Sequence, residues 1–199
     1  MSDAPLPAAG CVVRDARDAD LARIAEIYAA YVLTSVATFE ETPPDTDEMR
    51  ARFARIAGLG LPWLVADDGG LVQGYAYAGP FRDRSAYRFA VEDSIYVAPG
   101  LTRRGYGSAL LAELIRRCEA LGKRQMIAVI GGSGSVGSIG LHGRLGFRVA
   151  GVLPSVGFKF GAWEDSVLMT LALGDGDTAK AADPPTAPGG GTGSRAGGT

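Results

Sequence analysis

The sequence has few of the residues that metal centres and disulfide frameworks need. Its 199 residues include two cysteines and one histidine. Cys11 and Cys118 stand far apart, with no CxxC pair or histidine-rich segment beside them. This pattern fits neither a zinc site nor a set of disulfides. We therefore predict two reduced thiols, no bound metal and a reducing compartment.

Long apolar runs and an excess of one charge are also missing. No segment reaches the roughly 20 apolar residues that cross a bilayer, and the first residues, MSDAPLPAAGC, lack a basic stretch followed by an apolar one. The formal net charge of -2 offers no broad basic surface for nucleic acid or for an anionic membrane. We expect a cytoplasmic protein that binds neither, with any anion site confined to a local motif.

Composition divides the chain into one folded domain and two loose ends. Residues 174–199 are rich in Gly, Pro, Ala and Thr and contain no aromatic or large aliphatic side chain, which predicts a disordered tail. Residues 1–10 are predicted to be flexible in the same way. The remaining stretch, 11–173, has the size of one domain.

Hydrophobic periodicity within this stretch predicts an α+β fold around one mixed sheet. Amphipathic helices are expected over residues 18–32, capped by Asp18 or Asp20, and over residues 46–57, capped by Asp45 or Thr46. The later elements, in order, are two strands joined by a tight Asp-Gly-Gly turn, a strand ended by Pro99, a helix ended by Gly122, the strand RQMIAVI, a short helix over 138–145, and the strands FRVAGVL and DSVLMTLAL.

The stretch SIYVAPGLTRRGYGSALLAEL, residues 94–114, passes from a strand-like to a helix-like pattern across a turn rich in arginine and glycine. Unpaired N–H groups at a helix N-terminus attract anions. Gly105 and Gly107 allow close approach, and Arg103 and Arg104 add forked donors. We interpret the turn as a pyrophosphate site; a glycine-rich helix start with two solvated arginines is the alternative. The turn is too short for the GxxxxGK[ST] loop of nucleotide-binding folds.

The segment RGYGSA, residues 104–109, resembles the [QR]xxGx[GA] pyrophosphate loop of the GNAT superfamily of acetyl-CoA-dependent N-acyltransferases. The resemblance extends over residues 12–173 and includes the element order. Five further segments are similar to the phosphinothricin N-acetyltransferase branch: TFE, GPFRDRSAYRF, VEDSIYV, LHGRLGF and VGFKFGAWED. The resemblance implies a single GNAT-like domain with a mostly antiparallel sheet flanked by helices, acetyl-CoA as co-substrate, a small amino-acid-like amine as acceptor, and a homodimer.

The resemblance also implies which residues hold the co-substrate. The backbone of Ile95, Tyr96 and Val97 would pair with the pantetheine arm and thioester, and an N–H near Val97 would stabilise the oxyanion. The pyrophosphate loop would comprise Arg103, Arg104, Gly105, Tyr106, Gly107 and Ser108. The asparagine usual before the last helix is missing from GGSGSVGS, residues 131–138, where Ser133 or Ser135 takes its place.

Two residues match the catalytic positions of this branch. An amine must lose its proton before it attacks a thioester, so a base or a proton-carrying water is needed. Glu92 matches the family carboxylate that acts as base, directly or through water, and His142 matches a histidine beside the acetyl group that acts as its partner or as a positioning group. The alternatives are an exposed strand glutamate and a structural histidine. Phe147 stands where many relatives have a tyrosine acid, which leaves the general acid unassigned.

Four residues match the acceptor side. Arg84 and Tyr87 correspond to contacts with the acidic head of a small amino acid, a task that suits the forked guanidinium and the phenol hydroxyl. Phe39 would form a wall of the pocket, and Lys159 is a further candidate for an anion contact. The alternative for the cluster around Arg84 is an ordinary solvated surface.

These expectations describe an acetyl-CoA-dependent N-acetyltransferase that acts directly on the α-amine of phosphinothricin, methionine sulfone or methionine sulfoximine. One rival is an enzyme for a peptide N-terminus or a polyamine. Another is a non-catalytic acyl-CoA sensor that keeps the anion loop but has lost the chemistry.

Overall fold

The computed structural model describes residues 11–180 and builds them into one sheet with four α-helices. The elements in chain order are β1 (Cys11–Asp15), α1 (Leu21–Thr34), α2 (Thr46–Gly58), β2 (Trp63–Asp68), β3 (Leu71–Pro80), β4 (Ala90–Val97), α3 (Tyr106–Ala120), β5 (Gln125–Gly131), α4 (Val136–Arg144), β6 (Arg148–Lys159) and β7 (Ala162–Ala172). The predicted α+β class is confirmed.

The sheet has seven strands in the order β1-β2-β3-β4-β5-β7-β6. Five of its six pairings are antiparallel, and only β4 with β5 is parallel. A parallel pair needs a crossover connection, and α3 provides it. The predicted mixed, mostly antiparallel sheet is therefore present.

Strand β1 was missing from the predicted element order. Its five residues pair with β2, with Val13 opposite Ala66, but the strand lies at the edge of the sheet and Val12 is exposed. A short edge strand of this kind lacks a regular alternation of apolar and polar residues, so its sequence gives little periodic signal.

Several predicted element ends agree with the structure, but the two strands of the last hairpin and the starts of two helices differ. Strand β6 runs to Lys159, six residues beyond FRVAGVL, and β7 begins at Ala162, three residues before DSVLMTLAL. Asp45 caps α2 by accepting a hydrogen bond from the Glu48 N–H at 2.8 Å, and Gly122 follows α3 with a φ of 71°. Helix α1, however, begins only at Leu21, because residues 18–20 form a 3-10 turn in which the Asp20 carboxylate accepts from Arg14 and from the Arg17 N–H. Helix α4 begins at Val136, two residues before its predicted start at 138.

The helices cover both faces of the sheet. Tyr28 and Tyr31 of α1 pack edge-on against Tyr96 of β4, which in turn stacks on Tyr75 of β3. Side chains of consecutive strand residues point to opposite faces. Gly74, next to Tyr75, therefore faces the other side, where a Cβ atom on it would lie 3.2 Å from Leu110 of α3. The central strands are thus enclosed between α1 and α3.

The predicted tail begins in an ordered turn. Residues 174–180 form turns in which the Gly174 N–H donates to the Glu119 carboxylate and Asp175 pairs with Arg124. The remaining predicted loose ends, 1–10 and 181–199, lie outside the described residues. Both cysteines are free, as predicted. Within residues 11–180, no helix is long and apolar enough to cross a membrane.

We predict that the α3 core contact is a main source of stability. Leu114→Ala removes a side chain that is 0% exposed and should lower the free energy of unfolding by about 2–5 kcal/mol. Leu121→Ala is the matched control at the end of the same helix, where the side chain is 49% exposed, and should change it by less than about 0.5 kcal/mol. Urea unfolding measures both, and equal losses would contradict this assignment.

Candidate active site

The parallel strands β4 and β5 separate halfway along their length. They pair only from Ala90 with Gln125 to Asp93 with Ala128, although β4 continues to Val97 and β5 to Gly131. Beyond Asp93, β4 follows β3 and β5 follows β7. A gap opens between the two strands, and the backbone groups of β4 that face it have no strand partner.

Backbone direction in this part of β4 can be read from two hydrogen bonds. The Ala98 N–H donates to the Gln73 carbonyl beside β3 at 2.8 Å, whereas the Val97 carbonyl accepts from the Tyr31 hydroxyl at 2.7 Å. Backbone groups of successive residues in a strand point to opposite edges. The N–H of Val97 therefore points toward the gap, as an oxyanion donor must.

A cleft of about 1130 Å³ occupies the gap and extends to the N-termini of α3 and α4. This volume exceeds what a small metabolite alone requires. Eleven of the residues predicted for the site line it: Phe39, Glu92, Ile95, Tyr96, Val97, Arg103, Gly105, Gly107, Ser108, Ser135 and His142. Most of the predicted site is thus brought together in one place.

The N-terminus of α3, predicted from the sequence as a pyrophosphate site, forms one end of the cleft. Gly105 precedes the helix with a φ of 87°, and Arg103 also adopts a left-handed conformation, with a φ of 66°. The first turn leaves backbone N–H groups without helical partners, and the helix dipole adds positive potential there. A Cβ atom on Gly107 would lie 3.2 Å from Leu141, so the glycine keeps this wall open.

Two members of the predicted loop face away from the cleft. Tyr106 is buried, and its hydroxyl donates to the Asp68 carboxylate at 2.6 Å, which fastens α3 to the β2–β3 turn. Arg104 is exposed and lies outside the cleft wall. At the other helix, the Ser135 hydroxyl donates to the Gly131 carbonyl at 2.7 Å and holds the loop that starts α4.

Glu92 lies on β4 one residue before the end of the parallel pairing, opposite Gly79 on β3 and Ile127 on β5. Its side chain is half-buried in the cleft wall. Burial raises the pKa of this carboxyl above its ordinary value, the neighbouring charge of Asp93 raises it further, and Arg82 partly offsets both. A carboxylate with a raised pKa is a better proton acceptor near neutral pH.

His142 of α4 is held at both ring nitrogens. Nε2 lies 3.0 Å from the Asp93 carboxylate, and Nδ1 lies 2.8 Å from the Ser138 carbonyl oxygen. Burial alone would lower the pKa of His142, but the Asp93 carboxylate and the Ser138 carbonyl outweigh it and raise this pKa above its ordinary value. The ring also packs edge-on against Phe147 at 4.9 Å.

Asp93 was not identified from the sequence. The signal was the alternation in VEDSIYV, which places Val91 and Asp93 on the same face of β4, and both are buried. A buried carboxylate requires a partner. His142, the single histidine of the chain, was available to be that partner.

Phe39 is seated on two glycines. A Cβ atom on Gly157 would lie 2.5 Å from its ring, and one on Gly131 would lie 3.3 Å from it and would overlap the Val36 carbonyl. Lys159 binds the loop that carries Phe39: its ammonium donates to the carbonyls of Ser35 and Thr38, at 2.8 Å each. This buried ammonium, predicted as an anion contact, lies on the loop and outside the cleft wall.

Arg84 and Tyr87 lie in the exposed connection between β3 and β4. Neither belongs to the cleft wall of the single chain, and Tyr87 packs edge-on against Phe81 at 5.8 Å. The same connection carries Arg82, whose charge acts on Glu92. The predicted acceptor contacts therefore lie on a segment beside the Glu92 end of the cleft.

The described part of the chain, residues 11–180, contains no group of three Cys, His, Asp or Glu side chains able to hold a metal ion.

Comparison with known proteins agrees with this geometry. The model of the acetyltransferase (GNAT) family matches residues 24–147. Phosphinothricin N-acetyltransferase of Alcaligenes faecalis is 55% identical over 168 residues, which are 84% of this chain and 85% of that protein. L-methionine sulfoximine/L-methionine sulfone acetyltransferase of Pseudomonas aeruginosa is 44% identical over 162 residues, 81% of this chain and 94% of that protein.

A solved structure is similar over the same region. The crystal structure of a GNAT superfamily phosphinothricin acetyltransferase from Sinorhizobium meliloti in complex with acetyl-CoA aligns with a TM-score of 0.85 at 52% identity, covering 87% of this chain and 94% of that one. The predicted family is confirmed: the chain belongs to the GNAT family of acetyltransferases.

Proposed function

We propose that the chain transfers the acetyl group of acetyl-CoA to the α-amine of a small acidic amino-acid analogue such as phosphinothricin, methionine sulfone or methionine sulfoximine. The observation that carries the proposal is the gap between β4 and β5, which joins an anion-binding helix N-terminus to a half-buried carboxylate, Glu92. The names of the relatives at 55% and 44% identity support this choice of acceptor.

The residues of the cleft fit acetyl-CoA. The N-terminus of α3, with Arg103, Gly105, Gly107 and Ser108, suits a pyrophosphate. The free edge of β4 along Ile95, Tyr96 and Val97 suits the amides of a pantetheine arm, and the inward N–H of Val97 suits the thioester oxygen. The co-substrate supplies an activated acetyl thioester.

Glu92 acts as the base in this proposal. The acceptor amine is mostly an ammonium at neutral pH, and its proton passes to the Glu92 carboxylate directly or through one water. The uncharged nitrogen then forms its bond to the acetyl carbon as the carbon–sulfur bond breaks. Coenzyme A leaves as its thiolate, and the nitrogen gives up its second proton to that thiolate or to solvent as the amide forms. Transfer is direct in this proposal because neither Cys11 nor Cys118 lines the cleft, and burial raises the pKa of the Cys118 thiol to about 12, which leaves it a poor nucleophile.

Phe39, Arg84 and Tyr87 are the proposed acceptor contacts, and Phe39 stands in the cleft wall. Arg84 and Tyr87 would bind the acidic head of the acceptor from the β3–β4 connection beside Glu92. Lys159 is proposed to act on the acceptor through the loop that carries Phe39, since its ammonium already donates to two carbonyls of that loop.

We further propose a homodimer that forms through the β6–β7 hairpin. Strand β6 is an edge strand, and the hairpin carries a set of exposed apolar side chains: Val149, Val152, Leu153, Val156, Phe158, Phe160 and Trp163. Such a concentration is typical of a surface that another protein covers. Gly157 and Lys159 connect this hairpin to the Phe39 loop, so a second copy on it would stabilise the acceptor side of the cleft.

A cytoplasmic location stays a prediction.

The first prediction concerns acceptor class and base. Acetyl-CoA thiol release, with the product identified by mass spectrometry, should occur with phosphinothricin, methionine sulfone or methionine sulfoximine. Glu92→Gln should lower kcat by about 100- to 10,000-fold, the usual contribution of a general base. Because the carboxylate form is needed, activity should fall as the pH drops through the raised pKa of Glu92.

Thermal shift with acetyl-CoA is the control, and Glu92→Gln should retain the wild-type shift. Spermidine and a short peptide test the rival acceptors. If only spermidine or only the peptide is acetylated, the proposed acceptor class is wrong. If acetyl-CoA binds and no amine is acetylated, the non-catalytic acyl-CoA sensor is favoured.

The second prediction concerns the seat of Phe39. Gly157→Ala places a methyl group against the Phe39 ring and should raise the acceptor KM by about tenfold, equivalent to about 1.4 kcal/mol of overpacking. Gly151→Ala is the matched control on the same strand, because nothing lies within 4 Å of its added Cβ. Steady-state kinetics at saturating acetyl-CoA should show a normal KM for the control, and an unchanged KM in Gly157→Ala would refute the role of this seat.

The third prediction concerns assembly. Trp163→Arg places a charge within the exposed apolar set of the hairpin and should convert a dimer to a monomer in sedimentation velocity. Leu71→Arg changes another exposed apolar residue, at the start of β3 and away from the hairpin, and should leave the dimer intact. A wild-type monomer at micromolar concentration would contradict the homodimer.

A further inference from the structure

Asp93 is a buried acid that the proposed mechanism does not use. The side chains of Asp93 and His142 are only 1% and 2% exposed, and they meet at 3.0 Å. On the far side of the ring, Nδ1 is 2.8 Å from the Ser138 carbonyl oxygen. A backbone carbonyl can only accept a hydrogen bond, so Nδ1 carries a proton.

The second ring nitrogen faces the acid. The proton shared between Asp93 and Nε2 can lie on either atom, but against the opposing effect of burial the Asp93 carboxylate and the Ser138 carbonyl together raise the pKa of His142 above its ordinary value. The shared proton therefore lies on Nε2, and both nitrogens of His142 donate. A ring in this state is a cation with no free lone pair, and it cannot accept a proton from the acceptor amine.

We propose that Asp93 and His142 form a buried ion pair with a doubly protonated imidazole, and that His142 is a positioning residue whose charge compensates Asp93 beside the base Glu92. The pair also ties α4 to β4 at the point where β4 and β5 separate. The protonation of the pair stands independently of the proposed function; only the effect on Glu92 rests on it.

The charges around the pair decide its consequence for Glu92. Asp93 is the ionisable side chain that acts on the His142 pKa. Asp93 itself acts on Glu92, its neighbour on β4, and on Cys118 of α3. Without the imidazolium, the negative charge of Asp93 would disfavour the carboxylate form of Glu92. The cation therefore preserves an ionised base next to a second acid.

The single histidine makes a direct measurement possible. Nitrogen-15 NMR of the full chain labelled at histidine gives one pair of ring signals. We expect both nitrogens to carry a directly bonded proton from about pH 6 to about pH 8, a range in which an ordinary histidine loses one. One unprotonated ring nitrogen at about pH 6 would overturn the proposal. That signal is expected if the Asp93 carboxyl is neutral and donates a hydrogen bond to Nε2.

Variants show which residue keeps the His142 ring doubly protonated. Asp93→Asn removes the charge, so burial should leave His142 neutral and one ring nitrogen bare at about pH 7. Glu92→Gln should leave both nitrogens protonated even though it abolishes acetyl transfer, and Ser138→Ala keeps the carbonyl and should do the same. A doubly protonated ring in Asp93→Asn would overturn the role of Asp93. Circular dichroism checks the fold of each variant. The NMR test on the wild-type chain does not depend on any variant folding.

The pH profile then tests the effect on Glu92. Asp93→Asn removes the acid and, because His142 then becomes neutral, also the cation, so the acid limb of kcat/KM should move by less than about 0.3 pH unit; His142→Gln leaves Asp93 uncompensated and should move it up by about one pH unit. An acid limb that His142→Gln leaves in place, or that both variants move equally, would refute charge compensation. If no amine is acetylated, the proposed function fails, while the ring signals still confirm or refute the ion pair.

Discussion

The end of the β4–β5 pairing at Asp93 governs the arrangement of this site. Up to that residue the two strands share a ladder; beyond it each follows its antiparallel partner, β4 along β3 to the pair of Val97 with Gly74 and β5 along β7 to the pair of Gly131 with Ser166. Helix α1 stabilises the diverging end of β4, because the Tyr31 hydroxyl binds the Val97 carbonyl and Tyr96 packs on Tyr28 and Tyr31. The end of the strand pairing thus creates the cleft, and side chains only line the gap between the two backbones.

The loop that carries Phe39 depends on a second constraint, the burial of Lys159. Removing an ammonium from water is costly unless it finds partners. Here two carbonyls accept from it and the Phe160 ring lies 4.9 Å away, while burial lowers its pKa below the ordinary lysine value. The lysine therefore fixes the loop that carries Phe39 to the β6–β7 hairpin. This contact and the packing of Phe39 on Gly157 thus join the hairpin to the wall of the cleft.

Sequence reasoning found the features whose cause is local. Gly105 and the anion loop follow from chain geometry at a helix start, and the Gly69-Gly70 turn and the Asp45 cap follow from short-range preferences. It missed what depends on distant contacts. Lys159 meets carbonyls more than 120 positions away along the chain, and Asp93 meets a ring 49 positions away. Strand β1 is defined by its partner β2 more than by its own five residues. Family resemblance named Glu92 and His142, but it could not indicate that His142 uses both nitrogens.

Glu92 and Asp93 show how one strand gives adjacent carboxylates different tasks. Alternation turns Asp93 to the buried face, where His142 meets it, and turns Glu92 to the opposite face, where it remains half-buried in the cleft wall. Two neighbouring negative charges in a partly dry site would oppose each other's ionisation. The imidazolium removes this conflict by neutralising the deeper acid, so the shallower one can cycle between its charged and uncharged forms. Its raised pKa then comes mainly from burial, with the residual influence of Asp93 second. Titratable groups whose environments push their pKa values apart can take different parts in a reaction, and here the difference in environment follows from the two-residue period of a single strand.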